Sequence, residues 1–129
     1  RLAGIPRQTA TLSLGYSPIP AVALSAEMRA SSNQVLRGDE HAAEAPLPGY
    51  AVVNLRAHYQ ATPGLALFAS LENALDRRYA TLGARNRNAF DVDSEALEGV
   101  GPGPVERFVS PGAPRHFWLG FEYAFGKAR

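Results

Sequence analysis

At 129 residues, of which 46% are hydrophobic, the chain is one domain's worth of ordinary globular composition. A net charge of +1, from 13 basic and 12 acidic residues scattered along it, supplies no sustained field for gripping a phosphate backbone, so nucleic acid is not an expected partner. The absence of cysteine removes disulfides, thiolate metal sites and thiol nucleophiles together. No apolar run approaches the roughly 18 residues of a membrane helix, which excludes a helical span and leaves a barrel wall open.

In chain order, the opening RLAGIPRQ has no methionine, signal sequence or cleavage site, so it reads as part of something longer. Residues 9–17 then alternate, with Leu12, Leu14 and Tyr16 against Thr11, Ser13 and Gly15. A period of two is the signature of a strand, because successive side chains of an extended chain point to opposite sides. SPIPA, residues 17–21, is a tight turn. Residues 22–32 alternate again, setting Val22, Leu24, Ala26 and Met28 against Ser25, Glu27, Arg29 and Ser31. After a loop over about 33–48, the stretch 50–60 opposes Ala51, Val53, Leu55, Ala57 and Tyr59 to Val52, Asn54, Arg56, His58 and Gln60. The turn ATPG leads into 64–76, where Leu65, Leu67, Ala69 and Leu71 oppose Phe68, Ser70 and Glu72. A long segment rich in Gly, Pro, Asn and charge, about 83–114, reads as a surface loop. Residues 115–125, RHFWLGFEYAF, make the fifth strand, with Phe117, Leu119, Phe121, Tyr123 and Phe125 on one face.

Strands of this length, alternation, and short turns at one end with long loops at the other are the additive signature of an outer-membrane barrel. Soluble antiparallel sheets share the first two features, and a soluble sheet module binding an apolar ligand or protein stays open on the residues alone. Five strands cannot close a barrel. An open sheet in lipid would expose roughly ten unpaired backbone groups per edge at several kcal/mol apiece, so lipid contact requires further strands from elsewhere in the same chain.

Three motifs carry a resemblance. NALDRRYATLG, residues 73–83, resembles the Asn-Leu-Phe-Asp-x-x-Tyr segment after the penultimate strand of TonB-dependent outer-membrane receptors, with Leu75 where the family often has Phe. FVSPGAPRHFWLG, residues 108–120, resembles the Pro-Gly-x-Pro-Arg lead into their last strand, and GYAVVNLRAHY, with its core at 50–59, is similar to the strand before. The resemblance covers nearly the whole chain as the final five antiparallel strands of a transmembrane β-barrel of about 22 strands. It implies an all-β fold in the bacterial outer membrane and an active importer of a scarce ligand, such as a ferric siderophore or other metal chelate, energised through TonB. Implied partners are outer-membrane lipid, the barrel-assembly machinery, and the amino-terminal barrel and plug of the same chain, through which TonB acts.

The same resemblance assigns Gly120, Tyr123 and Phe125 to the signal read by the assembly machinery, with Trp118 at its usually polar first position and GKAR following Phe125. Phe117, Leu119, Phe121, Tyr123 and Phe125 are then expected to face lipid. Arg56, His58 and Glu72 fall on the opposite, lumenal face as candidates for a ligand path, although ordinary pairing and hydration explain such charges without that role. Arg85 and Arg87 in the long segment are candidates for contacting an anionic ligand. Asp91, Asp93 and Glu95 mimic the start of a calcium loop, but Ala96 stands where glycine is needed and Pro102 where a bidentate Glu is needed, so that reading fails. His41 and Glu44 lack a second histidine in HExxH spacing, and no GxSxG or phosphate loop occurs. No enzyme activity, cofactor or metal site is expected. A passive pore or a barrel enzyme is the remaining alternative within the membrane.

Overall fold

The computed structural model describes residues 2–39, 41–87 and 105–125. Its elements are seven strands: β1 (Thr9–Ile19), β2 (Val22–Ser31), β3 (Tyr50–Thr62), β4 (Leu65–Glu72), β5 (Ala80–Arg87), β6 (Val105–Pro111) and β7 (His116–Tyr123). The fold is all-β, every strand pairing is antiparallel, and the strands form one sheet in the order β1-β2-β3-β4-β7 and a separate β5-β6 pair. The chain divides into two compact units, one holding the five-stranded sheet and the other the β5–β6 pair with residues 2–8 and 32–49.

In the five-stranded unit the register carries the period of two across the whole sheet. Leu14, Ala26, Leu55, Leu71 and Phe117 stand side by side, and the next row is Tyr16, Leu24, Ala57, Ala69 and Leu119. The opposite face has Gly15, Ser25, Arg56, Ser70 and Trp118 in one row. A slip of one residue at any pairing would mix the two sets, so only registers an even number of residues apart keep the apolar side chains together.

The five strands expected at 9–17, 22–32, 50–60, 64–76 and 115–125 are present with shifted ends, and two corrections follow. The strand read over 64–76 stops at Glu72, because Asn73 and Asp76 adopt left-handed backbone (φ 49° and 51°) that no strand continues through. The segment read as a loop over 83–114 contains β6 and most of β5. Their alternation is short and interrupted by Gly83 and Arg-Asn pairs, so a hairpin stabilised by pairing was hidden from a periodicity argument.

The second unit has its own small core of Val35, Leu36 and Leu47, all buried. The connection 32–49 closes on itself through reciprocal backbone bonds between Gln34 and Leu47 (3.1 and 2.8 Å). It joins β5 by Arg37 N–H donating to Gly83 O (3.0 Å), Arg85 N–H donating to Arg37 O (2.6 Å), and Gln34 Nε2 donating to Thr81 O (3.1 Å). Gly83 is required by this approach: a Cβ there would overlap Leu36 Cδ2.

Candidate functional site

The five-stranded sheet leaves its apolar face open. On its apolar face Phe117 and Leu119 are each 74% exposed and Phe121 71%, and Leu12, Leu14, Tyr16, Leu24, Met28, Leu55, Tyr59, Leu67 and Tyr123 are exposed as well. On the polar face Asn54 and Ser70 are only 8% and 3% exposed. Burial of apolar area is the main force of folding in water, at about 25 cal/mol per Å². A sheet that presents a continuous apolar surface of this breadth to its surroundings is built to be covered by something apolar. Its centre is an open groove of about 660 Å³, bordered by Leu14, Leu24, Leu55, Leu71, Phe117 and Leu119. Its floor is the directly opposed, small pair Ala57 and Ala69. Phe125 follows the end of β7 and stacks edge-on against Tyr123, with ring centroids 4.7 Å apart.

The polar face brings the ligand-path candidates into one region without converging them on a site. Arg56 and His58 are two residues apart on β3 and line a shallow depression with Phe68 and Trp118. Glu72 is directly opposite His116, whose Nε2 is 3.8 Å from its carboxylate while Nδ1 lies 3.0 Å from Pro114 O. Glu27 is paired with Arg29 at 2.6 Å. These are local pairings on the polar face.

What sequence reasoning missed is how the two motifs at the end of the sheet engage each other. Asn73 is buried at the end of β4, and its side chain satisfies three backbone groups. Oδ1 accepts from Arg77 N–H (2.9 Å), and Nδ2 donates to Arg77 O (2.9 Å) and to Ala113 O (3.0 Å). Its own N–H donates to Asn54 Oδ1 at 3.0 Å, and Ala74 N–H donates to Val53 O at 2.8 Å. Asp76 N–H donates to Asn73 O (2.8 Å), and Asp76 Oδ1 accepts from Arg115 N–H (3.3 Å) at the entrance to β7. The chain leaving β4 is therefore tied by side chains to the chain entering β7, 40 residues later in sequence. Farther along, Gly112 N–H donates to Tyr79 O (2.8 Å), and a Cβ on Gly112 would overlap the Tyr79 ring. The signal was legible in principle, since Asn and Asp are the residues that tolerate left-handed backbone and bond their own turn.

Of the loop candidates, Arg85 is committed to an ion pair with Glu44 (2.7 Å), and Arg87 stands opposite Val105 in the β5–β6 register. The local organiser is Asp39, buried, whose carboxylate accepts from Ala43 N–H (3.0 Å) and Glu44 N–H (2.9 Å). The Glu44 amide holds its carboxyl below the usual carboxylate range. Burial opposes this, and the Ala43 amide and the Arg85 and His41 charges add to the lowering. Asp91, Asp93, Glu95, Ala96, Pro102 and the terminal GKAR lie outside the described residues.

Of the assembly-signal residues, Gly120 lies within β7 on the polar face, Tyr123 ends the strand on the apolar face, and Phe125 lies beyond it. No family model, curated protein or solved structure matches this chain.

Proposed function

We propose that this chain is a wall segment of an outer-membrane β-barrel whose apolar face meets lipid, and that the barrel is that of a TonB-dependent importer. The observation that carries the lipid reading is the continuous apolar face: apolar side chains aligned in register across five strands and left exposed. The strands, 8 to 13 residues long, are close to the roughly 9 to 11 that a tilted strand uses to cross a hydrocarbon core. The importer reading rests further on the motif resemblance, now supplemented by the physical role of Asn73, Asp76 and Gly112 in joining two strands across a long insertion.

The topology restricts what can complete such a barrel. Four antiparallel pairings separate β1 from β7, so the two edge strands run in the same direction. Copies joined head to tail would have to pair in parallel. A two-fold pairing of identical edges would invert one copy in the membrane. An all-antiparallel barrel therefore takes an odd number of further, non-identical strands between β7 and β1, as the about 22-stranded receptor barrel does. Ligand capture at the extracellular loops and release by withdrawal of the plug belong to that complete receptor.

A soluble reading is favoured by one feature, the open apolar groove over Ala57 and Ala69, which an apolar ligand or protein could fill. The chain has a single tryptophan, Trp118, on the polar face, and this provides the test. With the strands that complete the barrel present, and Trp118 the one tryptophan kept, Trp118 should be weakly quenched in vesicles with brominated acyl chains, and Trp118→Phe combined with Leu119→Trp strongly. Equal quenching at the two positions, or a monodisperse folded chain in plain buffer, refutes the lipid reading.

A further inference from the structure

We propose that Phe68 and Gly120 form a register lock that seats β7 on β4 and so decides which side chains of the last strand join the apolar face. The two residues are directly opposite each other. Gly120 is the only glycine in either strand, and the ring of Phe68 occupies the space a side chain at 120 would take. A Cβ built there would overlap Phe68 Cε2 and Cζ. Trp118, two residues away on the same face, meets the Phe68 ring edge-on with centroids 5.4 Å apart and planes at 73°. An aromatic ring laid over a strand glycine also shields the backbone that glycine leaves bare.

The rest of the β4–β7 pairing discriminates weakly between registers. Its apolar face matches Leu67 with Phe121, Ala69 with Leu119 and Leu71 with Phe117, pairs that would be as well satisfied two residues along. A two-residue slip keeps the faces but sets Phe68 against Trp118 or Glu122, where a side chain already fills the seat. A one-residue slip carries Phe117, Leu119 and Phe121 to the polar face. Gly120 thus has a task inside the folded sheet that is separate from recognition by any assembly machinery. The lock needs only β4 and β7, and stands whether the apolar face meets lipid or another surface.

Oxidative cross-linking of the protein that carries this chain, purified in detergent micelles together with the strands that complete its sheet and without assembly factors, reads the register. Leu67→Cys with Phe121→Cys reports the native pairing, and Leu67→Cys with Leu119→Cys the two-residue slip. In the parent background the first pair should cross-link and the second at least about tenfold less. Gly120→Ala should lower the ratio of native to slipped cross-link roughly tenfold, the scale of overpacking a filled site. Adding Phe68→Ala to Gly120→Ala should bring it back to within about twofold of Phe68→Ala alone, since the obstructing ring is gone. A ratio undiminished by Gly120→Ala, no relief from Phe68→Ala, or no native cross-link in the parent background overturns the lock.

Discussion

Replacing Asn73 by alanine is the sharpest test of how the sheet end is held. The substitution removes three side-chain hydrogen bonds, to Arg77 N–H, Arg77 O and Ala113 O, at about 1 kcal/mol each when the partners are part-buried. It also leaves a Cβ-bearing residue without a stabilising side-chain oxygen at φ 49°, which costs about 1 kcal/mol more. The sum is about 4 kcal/mol, a large part of the roughly 5 to 15 kcal/mol that stabilises a typical domain. Asn73→Gly loses the same bonds but accepts the backbone, so it should retain about 1 kcal/mol more than the alanine variant. Denaturant unfolding in detergent micelles, followed by Trp118 fluorescence, gives both values. An alanine variant within about 1 kcal/mol of the parent, or one more stable than the glycine variant, refutes the hydrogen-bond and backbone argument.

Two further outcomes are expected. Phe121→Arg on the apolar face should cost about 2 to 4 kcal/mol in lipid if it lies at the bilayer midplane, whereas Glu122→Arg on the opposite face should cost under about 1 kcal/mol; unfolding titrations in vesicles that show equal losses contradict the face assignment. Asp39 has a folded-state pKa below its unfolded value of 3.8, so its contribution is fully present above that value and fades as pH falls through the lower, folded one. Protection of the Ala43 and Glu44 amides from hydrogen exchange should therefore fall at acid pH, and Asp39→Asn should flatten that dependence; protection that rises on acidification reverses the sign and rejects the assignment.

The face assignment was legible in the chain because side-chain direction in a strand has a period of two and needs no partner to be read. Leu12, Leu14 and Tyr16, or Phe117, Leu119 and Phe121, could be grouped before any pairing was known, and the register then aligned the groups. The existence of short turns was legible from proline and glycine for the same local reason, but the strands run on through Ile19 and Thr62 and leave only 20–21 and 63–64 as turn. Pairing is a different matter, since a strand's neighbour is chosen by contacts distant in sequence. That β4 pairs with β7 across the β5–β6 insertion, that Asn73 reaches Ala113, that Arg85 is held by Glu44, and that Gly120 makes room for Phe68 all depend on residues 40 or more positions apart. Sequence alone thus determined which face is apolar in each of the five strands of the larger sheet. Only the tertiary structure decided which strands share that face and left it uncovered, because cross-strand packing and side-chain bonds between distant segments have no local signature.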